Sequence, residues 1–92
     1  MKVRPERSES LMKFPCQFPI KAMGYWAEDF DALVMQIVKR HVHDLGEGAV
    51  RSRESRGGRY MAVTVTIEAQ SRAQLDAIYH DLTHEGRVVM VL

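Results

Sequence analysis

An α+β fold built on one four-stranded antiparallel sheet is what this sequence predicts, and three features predict it. The apolar residues change spacing along the chain in the order strand, helix, strand, strand, helix, strand, with period two in the strands and about 3.6 in the helices. A Gly57-Gly58 pair separates the two middle strand-like runs, as in a hairpin. Each segment is apolar on one side, so each must bury that side against another layer.

Residues 1–13 are polar and lack periodicity, and a disordered tail is expected there, with a single domain over residues 14–92. The prolines of "FPCQFP" favour extended backbone before them. Phe18, Ile20 and Ala22 then alternate with Lys21 and Met23, which predicts a strand that Gly24 closes. Phe30, Leu33, Val34, Ile37, Val38 and His41 form one helical stripe. Glu28, Asp29 and Asp31 crowd its start and Lys39, Arg40 and His41 its end, both suited to the helix dipole. "DLGEG" ends the element.

The runs "AVRSRES" and "RYMAVTVTIEA" flank the Gly-Gly pair as two hairpin strands. In the second, Met61, Val63, Val65, Ile67 and Ala69 share the core face, and Tyr60, Ala62, Thr64, Thr66 and Glu68 the other. Ser71 and Gln74 match a capping box, in which each side chain bonds the other residue's backbone N–H. Leu75, Ile78, Tyr79 and Leu82 trace a second helical stripe, and "RVVMVL" is a last strand.

The order β-α-β-β-α-β defines a ferredoxin-like βαββαβ sandwich: a four-stranded antiparallel sheet with two helices on one face. Right-handed crossovers give the strand order 4-1-3-2, with the second and last strands at the edges. The expected core is Phe30, Leu33, Ile37, Val63, Val65, Ile67, Leu75, Ile78 and Leu82. Past Arg87 the last strand has no charge or proline, and strict alternation without a bulge is expected. Either Val88/Met90 or Val89/Val91 then meets the open face. An apolar, unguarded edge of this kind invites pairing with a second copy, and a homodimer through the sheet is expected.

Ninety-two residues, 46% apolar and 27% charged, are ordinary for one globular domain. The net charge of +1 gives no general pull toward nucleic acid or anionic membrane. The charge is uneven, however. Residues 1–13 carry a net +2 and residues 51–59 a net +3, leaving −4 on the rest. The lone cysteine, Cys16, cannot form an internal disulfide, which fits a reducing compartment. No apolar run approaches the roughly 20 residues of a membrane span, and the charged start lacks a signal-peptide core. A cytoplasmic setting with no membrane partner is expected.

"RGGRYMAV", Arg56 to Val63, begins like the aromatic-bearing strand of an RNA-recognition domain. Tyr60 fits an aromatic slot, but Gly58 and Val63 occupy the other two. The first strand offers Lys21 and Met23 to the open face, with no aromatic. Such domains hold bases on two or three rings, so one is too few and nucleic acid is not the expected partner. Gly57-Gly58 read as a turn, and Arg56 and Arg59 as solvated turn residues.

His80 and His84 have a metal-compatible spacing but lie opposite the apolar stripe, with no third ligand in pattern. His41 continues the core stripe and reads as a partly buried structural histidine. Cys16 has no neighbouring base and reads as an unreactive thiol. The acidic cluster is explained by the helix start. No catalytic residues, metal site or cofactor is expected.

"FPCQFPIKAMG", the "RGGRYMAVTVTI" hairpin and the terminal "VVMVL" resemble the YbeD-like family of small bacterial proteins of unknown function, over residues 11–92. Phe14, Pro15, Phe18, Lys21, Met23 and Gly24 carry the opening signature. The resemblance implies a fold similar to the regulatory ACT domains of amino-acid metabolism, and hints at a regulatory link to lipoate attachment. It implies no catalytic residues. The expected function is thus a non-enzymatic regulatory or interaction module that self-associates and binds a protein or small-molecule partner. Its candidate surface comprises Lys21, Met23, Arg51, Arg53, Arg56, Arg59, Tyr60, Val89 and Val91. The alternative is a nucleic-acid-binding module using the basic hairpin.

Overall fold

Six elements follow in the expected order: β1 (Cys16–Tyr25), α1 (Phe30–Lys39), β2 (Val50–Glu54), β3 (Tyr60–Ala69), α2 (Arg72–Thr83) and β4 (Val88–Val91). The structure, a computed structural model, describes residues 13–46 and 48–92. The tail expected over residues 1–13 lies outside the described residues, Lys13 excepted. The sheet runs β2-β3-β1-β4, which is the expected 4-1-3-2 order read from the other edge. All three pairings are antiparallel, and β1 and β3 match over ten residues from Cys16↔Ala69 to Tyr25↔Tyr60.

Alternation sets the two faces of the sheet. Ile20 and Ala22 of β1 and Met61, Val63, Val65, Ile67 and Ala69 of β3 are buried on one face. Phe30, Val34, Ile37 and Val38 of α1 and Leu75, Ile78 and Leu82 of α2 pack into the same cluster. Both helices therefore cover one face and leave the other open. Leu33 departs from its expected place: it is half-buried at the rim of the cluster, while Val34 is fully buried. The α1 stripe is broad enough that either residue could face the sheet, and the helix is rotated to bury Val34.

Gly24 does not close β1. The strand continues to Tyr25, and Gly24 is buried between Met61 of β3 and Val88 of β4. The helix ends also differ in detail from expectation. Asp29 caps α1 without a side-chain bond to the helix. Its carboxylate instead holds Arg87 at the start of β4, at 2.7 and 3.2 Å. Ser71 caps α2 as expected, its Oγ accepting from the Gln74 N–H at 3.1 Å. Gln74 reaches back one residue further than a capping box requires, accepting from the Gln70 N–H at 2.6 Å. Its amide also donates to the His41 carbonyl at 2.9 Å, which ties α2 to the end of α1.

The last strand carries a bulge that its apolar sequence did not announce. Ala22 faces Val91, Met23 faces Met90, and Gly24 faces Val88, so Val89 is the extra residue. Val88 and Val91 consequently both pack against the core cluster, and strict alternation fails. Val91 is thereby removed from the open face, and Met90 takes that place.

Candidate interaction site

The open face is laid out in rows by the strand register. Lys21, Thr64 and Arg51 form one row across β1, β3 and β2. Met90, Met23, Ala62 and Arg53 form the next, across all four strands. Tyr25 and Tyr60 form the last. Successive rows stand about 7 Å apart, two residues of strand rise. The face is thus apolar toward β4 and cationic toward β2.

Tyr25 and Tyr60 stack, with ring centroids 5.0 Å apart and 28° between their planes. Tyr25 is 62% exposed. From sequence Tyr60 is expected here and Tyr25 is not, because Gly24 reads as the end of the strand. The signal was present, since Tyr25 continues the Lys21, Met23 alternation. The absence of an aromatic on the first strand was therefore a wrong expectation.

The hairpin turn places Arg56 and Arg59 beyond the tyrosine row, both exposed. Gly57 and Gly58 have φ of 88° and 72°, a left-handed pair that side chains resist. The Gly58 N–H donates to the Ser55 carbonyl at 2.9 Å and the Ser55 N–H to the Tyr60 carbonyl at 2.8 Å, closing the turn. The Arg59 carbonyl accepts from the Trp26 N–H at 2.9 Å and fixes the chain leaving β1.

Of the expected surface residues, the structure brings together Lys21, Met23, Arg51, Arg53 and Tyr60. Val89 is exposed at the bulge on the β4 edge.

Polar clusters elsewhere bind elements to each other. Asp81 of α2 accepts from His41 Nε2 at 2.8 Å and lies 3.4 Å from the Arg40 guanidinium. His80 Nδ1 stands 3.5 Å from its other oxygen. The His41 bond, ahead of those from His80 and Arg40, holds the Asp81 carboxyl below its usual range. The Arg87 bond does the same for Asp29. His41 is half-buried, as its place in the stripe predicts.

His80 and His84 are exposed and stack on each other at 4.2 Å, with His84 Nδ1 donating to the His80 carbonyl at 2.8 Å. Among the described residues no group of three His, Cys, Asp or Glu side chains is arranged to hold a metal. Cys16 packs against the rim of the core. Burial pushes the Tyr79 hydroxyl pKa up, and that hydroxyl donates to the Leu92 carbonyl at 3.1 Å.

These features define the class: a small α+β protein of ferredoxin-like fold whose sheet is covered on one face and open on the other. A family model described as a protein of unknown function, DUF493, matches residues 9–92. The UPF0250 protein of Chromobacterium violaceum is 46% identical over 87 residues, covering 95% of this chain and 98% of that one. The UPF0250 protein of Nitrosomonas europaea is 43% identical, covering 91% and 97%. The chain belongs to the DUF493 family, in agreement with the YbeD-like resemblance of its sequence. The solution structure of HP0495 from H. pylori superposes with a TM-score of 0.65 at 11% identity, over 88% of this chain and 85% of that one. That likeness is one of fold. Among the described residues no helix is long and apolar enough to cross a membrane.

Proposed function

We propose that the protein is a non-enzymatic interaction module that works through the open face of its sheet and pairs with a second copy through the β4 edge. One observation carries this reading. The exposed large apolar side chains among the described residues are Tyr25, Trp26, Val89, Met90 and Leu92. All five belong to the end of β1 and the residue after it, or to β4 and the residue after it. Such a gathering marks a contact surface.

The two sheet edges differ in what they would do to a copy. Two β2 edges brought together would oppose Arg51 and Arg53 to like charge. Two β4 edges meet no side-chain charge between Val88 and Leu92. Leu92 exchanges both backbone hydrogen bonds with Lys21, at 2.8 and 3.2 Å. The adjacent Val91 therefore turns its N–H and C=O away from β1, toward a partner strand. The bulge at Val89 confines such pairing to the Met90–Leu92 end. A two-fold arrangement would satisfy the edge and cover Met90.

The role is regulatory in the sense of binding without turnover. A cytoplasmic setting is supported by the lone cysteine. A link to lipoate metabolism rests on the family resemblance alone. Sedimentation equilibrium across a range of concentrations tests the self-association. A dimer mass is expected, shifted to monomer by Met90→Lys or Val89→Lys with an unchanged circular dichroism spectrum. A monomer at every concentration overturns the reading.

A further inference from the structure

We propose that the open face also binds single-stranded nucleic acid, with Tyr25 and Tyr60 as the stacking platform and Lys21, Arg51 and Arg53 as phosphate contacts. This site needs the face of the sheet and not its edge, so it stands or falls apart from self-association.

The platform comes from the β1–β3 ladder. Tyr25 and Tyr60 are register partners on the two central strands, and they project from the side the helices leave bare. Aromatic rings displayed on an open sheet hold unpaired bases, and they do so for any sequence because every base has a flat face. With Gly24 as the strand end, the sequence alone shows one such ring, Tyr60, too few to hold bases. The structure supplies the second.

The cations are placed to follow a phosphate chain away from those rings. Arg53, opposite Ala62, lies one row from the tyrosines, and Arg51, opposite Thr64, lies two rows away. Lys21 completes the second row from the β1 side. Arg56 and Arg59 stand at the tyrosine end, in the turn. Acidic side chains are few nearby. Glu68 lies on the same face, but far along β3 opposite Gln17. Glu54 is opposite Met61, so it falls on the helix side of β2.

Charge complementarity selects a polyanion, and the tyrosine pair selects one that offers flat rings. An acidic protein surface would engage the arginines and leave the ring faces idle. A duplex keeps its base faces stacked inside, so a single strand is the form that fits.

The test titrates the full chain into a short fluorescein-labelled oligouridylate, read by anisotropy at several salt concentrations. Affinity should fall with salt at a log–log slope of about −2 to −4, from about 0.7 per phosphate contact. Tyr25→Ala and Tyr60→Ala should each weaken binding by about five- to a hundredfold. Tyr25→Phe and Tyr60→Phe keep the ring and should bind nearly as the parent does, which separates stacking from a folding defect. The Arg51→Gln, Arg53→Gln pair should flatten the slope by about 1.4.

Absence of binding at low salt overturns the proposal. So does binding that the alanine variants leave unchanged, or that polyglutamate displaces as readily as unlabelled oligouridylate. The last result would mark the face as a site for an acidic protein.

Discussion

A Cβ on Gly24 would stand 2.7 Å from two ring carbons of Phe30 and 2.5 Å from the Arg87 carbonyl oxygen. Three elements therefore meet at a point where a hydrogen is the largest substituent that fits: β1, the first residue of α1, and the approach to β4. The backbone oxygen cannot swing aside as a side chain could. Gly24→Ala should lower stability by about 1–3 kcal/mol or more through overpacking. Combined with Phe30→Leu, the losses should fall short of their sum, because the smaller side chain relieves part of the collision. Urea denaturation of the four proteins measures both effects. A Gly24→Ala loss under about half a kcal/mol would contradict the contact.

Burial separates two leucine-class positions that the helical stripe treats alike. Ile37 is 1% exposed, whereas Leu33 is half-buried at the edge of the cluster. Ile37→Ala and the equally buried Ile78→Ala should cost about 2–5 kcal/mol each. Leu33→Ala should cost clearly less than either, since part of its surface already meets water. Equal losses at Leu33 and Ile37 in chemical denaturation would place Leu33 in the core after all.

The order of elements, the sheet topology and the inner face of β3 were legible because period and turn chemistry are local. Met61 to Ala69 alternate in sequence, and they alternate in the structure. What sequence concealed depends on contacts between distant residues. The bulge at Val89 arises where β4 meets Gly24 of β1, and an all-apolar run offers no polar residue to reveal it. Asp29 looks like a helix-start acid until Arg87, 58 residues away, is seen to hold it. In the candidate site, the arginines and Tyr60 were readable from the hairpin. Tyr25 was hidden behind a glycine that reads as a strand end but serves the packing of Phe30.

The hairpin turn should be sensitive in its glycines and insensitive in its arginines. Gly57 and Gly58 hold left-handed backbone, and a side chain there costs about 1–2 kcal/mol. Gly57→Ala should show that loss, because nothing near it would compensate: a Cβ would meet open space. Arg56→Gln with Arg59→Gln should change stability by no more than about half a kcal/mol. Thermal unfolding of both variants checks this. A large loss from the arginine pair would mean that the turn is held by those side chains and not by its backbone.

Asp81 should make stability depend on pH on the acid side. Its carboxylate accepts from His41 at 2.8 Å and joins the end of α1 to α2. That bond outweighs the opposing effect of burial and keeps the carboxyl below its ordinary value of 3.8. A carboxyl with a lower pKa folded than unfolded binds fewer protons in the native state. Its contribution is therefore fully present above the unfolded value and is lost as pH falls through the folded one. Asp81→Asn removes this linkage. The parent should be more stable than the variant near neutrality, and the gap should narrow as pH drops below 3.8. Asp29→Asn should behave with the same sign, through the loss of its Arg87 bond. Unfolding midpoints followed from neutral to strongly acid buffer decide the matter. A gap that stays constant across that range would show that Asp81 contributes by shape and not by charge.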